Sequence, residues 1–221
     1  TLILAGCNAN FMGNSFTSEL KKDANASSEF YMNKIGQTQK IEDQQTYKLL
    51  AARVLVTENK VPQAQALLNE LSTLNPDQLL DKSLIEAHIA AVQGNNQHAE
   101  DLLRRVDLTQ LSSSQVGRYY AVKARIAENK NAIIDAVKAR IQMDQVLTDV
   151  PRKQENNDRT WALLRQANRG LLNNTPDEGN LALAGWLALA RAYNDNLSQP
   201  TQLSQALQNW KAAYPNHSAS Y

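Results

Sequence analysis

The stretch from Tyr47 to Pro76, YKLLAARVLVTENKVPQAQALLNELSTLNP, decides the fold because its pattern returns twice downstream. Apolar residues at helical spacing stand on both sides of Asn59, which marks a turn between two helices. The same arrangement recurs around Gly94 and again around Asn129, each 35 residues further on. A helix-turn-helix unit repeated at a fixed period predicts a helical solenoid, in which neighbouring units bury one another.

Small residues at fixed positions make these units resemble tetratricopeptide repeats. Ala52 and Ala87 lie where paired helices would cross, and Ala64 and Ala99 follow twelve residues later. Alanine lets two helix backbones approach toward the short end of the usual separation of ~8–10 Å. In the third unit the match is weaker, because Val122 stands where a small residue is expected.

Start and stop signals predict helices outside the three repeats as well. A first helix is expected over Ser28 to Gln37, and a later one from Lys153 to about Gly170 after Val150-Pro151 closes the third unit. Thr175 to Glu178, TPDE, has the pattern of a capping box that starts the next helix, and a last helix should end at Tyr214-Pro215. We therefore expect an all-α chain, a tetratricopeptide-like solenoid of about five helix pairs.

Composition agrees with this fold class and argues against nucleic-acid binding and against a membrane-spanning segment. Only 8 Gly and 6 Pro occur in 221 residues, and no persistent alternation predicts strands. The 23 basic and 22 acidic residues leave a net charge of +1, which gives no support for phosphate contacts with nucleic acid. No apolar run is long enough to span a membrane.

The N-terminal residues TLILAGC predict a different form of membrane attachment. An apolar segment followed by Leu4-Ala5-Gly6-Cys7 resembles the processing site of bacterial lipoproteins, in which the chain is cut before an acylated cysteine. Several acyl chains on Cys7 would give stable attachment. Asn8 is not the aspartate that commonly retains such lipoproteins at the inner membrane, so the periplasmic side of the outer membrane is the expected location. The alternative is a chance LAGC in a buried helix.

These signals divide the chain into three parts. Residues 1–6 are the expected remnant of a signal peptide, and residues 7–25 are the lipidated cysteine with a tether. Residues 26–221 are the expected helical domain.

Catalytic and metal-binding patterns are missing from the sequence, which contains neither a phosphate-binding loop nor a nucleophile elbow nor a zinc-protease motif. His88 and His98 fall on different helices of one repeat, and His217 lies in a polar tail, so no metal site and no cofactor are predicted. The tryptophans stand at helical spacing among apolar residues and are expected in the core. We therefore expect a protein that is not an enzyme.

One surface feature suggests a binding role. The residue after each crossing position would face the inner groove of a tetratricopeptide-like stack, which places Arg53, His88 and Lys123 in one column. Such a column could hold carboxylates of a partner or of cell-wall peptides. Ordinary solvated basic residues are the alternative.

Three C-terminal segments point to one protein family: TWALL from 160, EGNLALAGWLALARAYNDN over 178–196 and ALQNWKAAYPNHSA over 206–219. With the LAGC site, SSEFYMNKI near the start and the degenerate repeats, they resemble the N-terminal domain of the LpoA family, the outer-membrane lipoprotein activators of penicillin-binding proteins. The resemblance covers essentially the whole chain. In that family a domain of the periplasmic solute-binding type follows, docks on a bifunctional class A peptidoglycan synthase and stimulates its transpeptidase.

The resemblance implies a non-enzymatic regulator of peptidoglycan synthesis, in which this domain is a helical spacer or scaffold. Its expected partners are a class A penicillin-binding protein, contacted mainly through the following domain, the outer membrane through acylated Cys7, and peptidoglycan. One alternative is a general periplasmic tetratricopeptide-like adaptor that binds peptides or envelope-assembly proteins. Another is a helical glycan-cleaving enzyme, which would require a buried acidic residue in a cleft.

Overall fold

The computed structural model describes residues 26–220, which form eleven α-helices and two short 3₁₀ helices, with no strand among them. The α-helices are α1 Ser28–Gln37, α2 Ile41–Thr57, α3 Val61–Asn69, α4 Pro76–Val92, α5 Asn96–Arg104, α6 Ser113–Asn129, α7 Ile133–Val146, α8 Val150–Leu164, α9 Arg169–Asn174, α10 Leu181–Asn196 and α11 Pro200–Ala213. After α1, the other ten follow one another as five consecutive pairs. The all-α, tetratricopeptide-like prediction is confirmed, and α1 has the bounds expected from the sequence.

The chain divides into two compact units, residues 1–78 and residues 79–221. In the described part of the first unit, α1 packs against α2 and α2 packs against α3. Ala52 and Ala64 are both fully buried, as expected for residues at a close helix crossing. Ser28 donates hydrogen bonds from its backbone N–H and its hydroxyl to the Glu58 carboxylate, at 3.0 and 2.8 Å, which joins the start of α1 to the end of α2.

Two apolar clusters form the core of the second unit. The first joins α4, α5 and α6 around Leu84, Ala87, Ala99, Leu103, Val122 and Ile126. The second joins α7, the end of α8, α9 and α10 around Val137, Ile141, Leu164, Leu172, Leu183, Trp186 and Leu187. Trp186 and Trp210 are buried and Trp161 packs against the second cluster, so the tryptophans occupy the core as predicted.

Buried glutamines connect successive paired helices. In the first unit Gln78 donates from Nε2 to the backbone oxygen of Glu42 and to the Thr46 hydroxyl. In the second unit Gln115 donates from Nε2 to Asp81 over 3.0 Å. Both glutamines also accept a hydrogen bond from the backbone N–H of their own N-cap residue, which closes the helix start. This repeated polar link is absent from the sequence-based account.

The turn residues show that the third repeat is shifted from the position that a fixed 35-residue period predicts. Asn59, Gly94 and Asn131 adopt positive φ values of 60, 78 and 55° between paired helices. The prediction of a turn at Asn129 is wrong, since Asn129 is the last residue of α6. The 3₁₀ helix Leu108–Gln110 lies in the connection before α6, and the third turn comes 37 residues after Gly94.

Two further expectations between the third and fifth pairs are also wrong. Val150 and Pro151 begin α8 with Asp149 as its N-cap, and α8 ends at Leu164 instead of continuing to Gly170. Thr175 ends α9, where its hydroxyl donates to the Leu171 oxygen over 2.7 Å.

The helix that follows α9 therefore does not start at the predicted TPDE capping box, although its span is the expected apolar segment LALAGWLALARAYNDN, residues 181–196. Glu178 and Gly179 have positive φ, and α10 begins after the N-cap Asn180. Arg191 on α10 donates to the backbone oxygens of Leu172 and Thr175, which holds the end of α9 against α10.

The C-terminal residues close the second unit through a histidine that sequence analysis had placed in a polar tail. His217 is 8% exposed and makes edge contacts with the rings of Trp186 and Trp210. The Ala219 N–H donates to Nδ1, so Nε2 carries the hydrogen and donates to the Ala182 oxygen over 2.8 Å. Trp210 donates from its indole to the Gly185 oxygen beside this ring. His217 therefore has a packing role.

Candidate functional site

The corrected register changes which residue shares a repeat position with Arg53 and His88. Counting back six residues from the turn residues Asn59, Gly94 and Asn131 gives Arg53, His88 and Arg125. By the same count, the third small residue is the fully buried Ala124, and Val122 is not the substitute that the fixed period had indicated. Asparagine is enriched at positive φ, so Asn129 and Asn131 both suit a turn, and the small residue Ala124 at the crossing position is the signal that favours Asn131.

The three predicted groove residues lie in different environments. Arg53 is half-buried on α2 in the first unit. His88 is half-buried on α4, where burial and the neighbouring Arg125 charge lower its pKa to about 4. His88 is therefore uncharged at neutral pH. Lys123 is exposed on α6 and lies over the Tyr119 ring, with its Nζ 5.8 Å from the ring centroid.

A groove of about 870 Å³, here called the charged groove, runs along the second unit. Helices α5, α6 and α7 and the segment 178–183 form its walls. Lys123 lies in this groove, and neither Arg53 nor His88 lines it. The charged groove's ionisable side chains are Glu100, Arg104, Tyr119, Tyr120, Lys123, Lys130, Asp135, Lys138 and Glu178.

Most charges of the charged groove are already paired. Lys130 pairs with Glu100, and Lys138 pairs with Glu178 over 2.8 Å. Arg104 pairs with Asp101 on its own helix. These pairs are solvent-exposed, and exposed ion pairs exchange readily for other partners because each contributes little stability.

In the charged groove, Lys123 supplies a cation that lies over the Tyr119 ring. Asp135 supplies a carboxylate in the first turn of α7. Burial and the neighbouring Tyr120 raise the pKa of Tyr119, so its hydroxyl remains protonated and can donate a hydrogen bond. The groove therefore offers a cation, an anion, phenolic hydroxyls and apolar rings to a ligand. An extended peptide carries groups that match each of these.

No group of three or more His, Cys, Asp or Glu side chains within residues 26–220 could hold a metal ion. In that same part of the chain, no helix has the length and apolar character needed to cross a membrane. Cys7, the predicted lipidation site, lies outside the described residues.

Comparison with known proteins relates this fold to bacterial lipoproteins. The family model described as "LppC putative lipoprotein" matches residues 21–221. The penicillin-binding protein activator LpoA of Mannheimia succiniciproducens is 67% identical over 220 residues, which is 100% of this chain and 38% of that protein. The Haemophilus influenzae protein of the same name is 62% identical over 220 residues, with the same shares of each chain. This chain thus spans about 38% of the length of these relatives.

Solved structures of related proteins have the same fold as this chain and match nearly all of it. The LpoA N-terminal domain from H. influenzae superposes with a TM-score of 0.88 at 63% identity, covering 93% of this chain and 94% of that one. Full-length LpoA from H. influenzae gives a TM-score of 0.88 and covers 92% of this chain but only 38% of the full-length one. The E. coli LpoA amino-terminal domain gives 0.79 at 30% identity. The chain therefore belongs to the LppC putative lipoprotein family, and its fold is that of the LpoA N-terminal domain.

Proposed function

We propose that this chain is the helical N-terminal domain of an outer-membrane lipoprotein that activates a class A penicillin-binding protein. The observation that carries the proposal is identity of 62–67% across the whole chain to proteins named penicillin-binding protein activator. Identity at this level supports a shared role for the domain. The activity itself belongs to the longer protein of which this chain matches a part.

The longer protein has two domains in this proposal. Solved relatives include both an LpoA N-terminal domain, which matches this chain almost end to end, and a full-length LpoA, of which the match is 38%. A further domain of the solute-binding type would follow residue 221 and make the main contact with the synthase. The helical domain would then act as a scaffold and spacer.

Attachment to the outer membrane would come from Cys7. The sequence LAGC at residues 4–7 and the family's description as a lipoprotein both support acylation of this cysteine. In cells making the precursor with its complete signal, Cys7→Ser should abolish palmitate labelling and outer-membrane fractionation. Palmitate incorporation that persists in this variant would refute the assignment.

The helical domain is proposed to act without catalysis of its own. Two of its buried ionisable groups have structural partners: Arg140 pairs with Glu128, and His217 bonds to backbone groups. Asp144 has one buried oxygen without a hydrogen bond, but no second carboxyl group is among the residues that line its groove. The ionisable groups of the charged groove are mostly in exposed ion pairs. A glycan-cleaving enzyme would instead need a pair of carboxyl groups set on either side of a bound sugar.

Partner capture tests the proposal. The two-domain protein and residues 26–221 should be immobilised separately and exposed to a purified class A synthase. We expect retention by the two-domain protein and much weaker retention by the helical domain. Equal retention by both would mean that the helical domain makes the main contact with the synthase, which contradicts the proposed scaffold role.

The charged groove favours one second candidate, a peptide-binding adaptor. In this hypothesis Lys123 would hold a peptide carboxylate and Asp135 a peptide amine. Fluorescence titration with peptide stems released from peptidoglycan tests it. Lys123→Glu should abolish binding that Lys211→Glu, an exposed charge outside the groove, leaves unchanged.

A further inference from the structure

The residues that follow α11 are held on α10 by one imidazole ring. His217 Nε2 donates to the Ala182 backbone oxygen over 2.8 Å, and the Ala219 N–H donates to His217 Nδ1 over 3.1 Å. The 3₁₀ helix Ser218–Ser220 begins directly after this histidine, and the Ser220 N–H donates to the His217 backbone oxygen. The ring therefore fixes the turn 217–220 to α10 with both of its nitrogens.

These two hydrogen bonds require an uncharged ring. A backbone oxygen can only accept, so Nε2 carries a hydrogen, and a backbone N–H can only donate, so Nδ1 carries none. A proton added to Nδ1 would point at the Ala219 N–H, and the hydrogen bond between the two nitrogens would be lost. The turn keeps its bond to His217 only while the ring is uncharged.

The pocket around the ring is tightly packed and apolar. His217 is buried, with its ring in edge contact with those of Trp186 on α10 and Trp210 on α11. Gly185 lies directly against it, since a Cβ at this position would stand 2.7 Å from Nε2. None of these three residues carries a charge. A charged ring in such a place is unfavourable unless a nearby anion compensates its charge.

A suitable anion lies in the groove that borders the ring. This groove of about 860 Å³ is lined by His217 together with Asp144 of α7, Lys153 of α8 and Tyr214, which are its other ionisable residues. Asp144 Oδ1 is buried without a hydrogen bond, and its other oxygen lies 3.9 Å from Lys153 Nζ. Burial raises the pKa of Asp144, and positive charge on Lys153 and on His217 opposes that rise. Buried polar atoms nearly always have partners, so this oxygen is an acceptor in need of a donor.

We propose that His217 is a pH-sensitive latch, which holds the turn 217–220 on α10 while its ring is uncharged and releases the turn when Nδ1 takes up a proton from the solvent. On protonation the Ala219 N–H loses its acceptor. Asp144 stabilises the protonated ring, because it supplies the one carboxylate of the groove lining. Acidification therefore loosens the turn and uncovers the edges of Trp186 and Trp210. The latch does not depend on the function proposed above.

Nuclear magnetic resonance of the histidine rings tests the latch. The sequence contains 3 histidines, so the ring signals are few, and His217→Gln identifies the signal of residue 217. His98 is exposed and provides the reference for a ring in solvent, whereas His88 stays uncharged until about pH 4. Residues 26–221 are a suitable unit, because the corresponding domain of the 63% identical relative was solved by itself.

At neutral pH, the ring nitrogen shifts of His217 should show a hydrogen on Nε2 and none on Nδ1. From about pH 8 to about pH 5, the range in which histidines usually take up a proton, the Ala219 and Ser220 amide signals should move in step with the His217 ring. Asp144→Asn removes the anion and should shift this coupled change to lower pH.

Two glutamine variants separate the latch from a general effect of acid. His217→Gln keeps a donor and an acceptor but takes up no proton, so the Ala219 amide signal should no longer follow the pH. His98→Gln is the matched control, since it removes an exposed histidine, and it should leave the response of the Ala219 amide intact.

Any of four results would overturn the proposal. The first is a hydrogen on Nδ1 at neutral pH. The second is a His217 ring that stays uncharged throughout the titration, or that takes up a proton while the Ala219 amide signal stays fixed. The third is a coupled change that Asp144→Asn does not shift, and the fourth is an amide response that persists in His217→Gln. The first two readouts use the unsubstituted domain, so they decide the question even if a variant fails to fold.

Discussion

Replacing Glu128 with alanine removes the carboxylate that pairs with a buried guanidinium. Arg140 on α7 donates from Nε to Glu128 Oε1 over 3.1 Å and from Nη2 to the same oxygen. Its Nη1 donates to Asn156 Oδ1 on α8 over 3.3 Å, and Asn156 donates back to the Arg140 backbone oxygen. The Arg140 side chain is 8% exposed and that of Glu128 is 22% exposed. The pair therefore joins three helices of the second unit in a site with little water.

The size of the effect follows from what remains after the substitution. Breaking a buried ion pair costs about 3–5 kcal/mol, because the remaining charge is buried without its partner. Glu128 is partly solvated, so Glu128→Ala should fall near the lower end, at about 3 kcal/mol. Glu128→Gln keeps one acceptor oxygen and should cost about 1–2 kcal/mol. Glu100→Ala, which removes the exposed partner of Lys130, should cost less than about 1 kcal/mol.

Urea unfolding followed by tryptophan fluorescence measures these differences, since Trp161, Trp186 and Trp210 all lie in the second unit. For a chain of this size, about 3 kcal/mol corresponds to a fall in melting temperature of roughly 6–12 °C. A loss for Glu128→Ala no larger than that for Glu100→Ala would refute the reasoning. It would mean that water or a rearranged Asn156 satisfies the guanidinium.

Three further substitutions test packing, register and charge. Gly185→Ala should destabilise the domain, because a Cβ would lie 2.7 Å from His217 Nε2 and still closer to Cδ2; overpacking of about 1–3 kcal/mol outweighs the gain in helix propensity. Gly36→Ala, with open space around it, should not lower the melting temperature. Ala136 is fully buried, so Ala136→Leu should cost about 1–3 kcal/mol if the third repeat has its turn at Asn131. Ile134→Leu should be tolerated, and equal effects of the two substitutions would contradict that register. Lys60 and Ser28 lower the pKa of Glu58 from 4.5 to about 2, so its contribution is complete above about pH 4.5 and is lost as the pH falls toward 2. Glu58→Gln should therefore lose less stability than wild type over that pH range in urea titrations, and an equal loss would contradict the shift.

Local signals allowed much of the helical architecture to be predicted. Ser27 caps α1 through a hydrogen bond from the Phe30 N–H, and Asn75 accepts from the Gln78 N–H at the start of α4. Asn59 and Gly94 adopt the positive φ that the turns require. Each of these features depends on a few neighbouring residues, which is why the sequence pattern was sufficient.

The third repeat could not be placed by counting a fixed period. The connection between α5 and α6 contains the 3₁₀ helix Leu108–Gln110, and polar connections can lengthen without changing the apolar pattern of the helices. A local ambiguity affected Thr175, whose hydroxyl caps the end of α9 instead of starting α10. This second error arose because one polar residue can serve at either end of a helix.

Long-range contacts explain what the sequence could not show about the two grooves. His217 lies in a polar tail of the sequence, but its partners Ala182, Trp186 and Trp210 come from α10 and α11. A second groove, of about 860 Å³, exists only because Val150 at the start of α8, Leu181 at the start of α10 and Tyr214 after α11 meet there. Lys123 was found as a candidate on an incorrect register, and its place in the charged groove comes from the packing of α6 against α7.

Peptide cross-linking by a class A synthase shows whether the helical domain is a scaffold and whether activation needs the domain that follows it. The synthase is measured alone, with residues 26–221 and with the two-domain protein, at equal molar amounts. We expect stimulation by the two-domain protein and none by the helical domain, because activation requires preferential binding to a more active state of the synthase. Full stimulation by residues 26–221 would contradict the scaffold role, and the charged groove around Lys123 would then be the first surface to mutate.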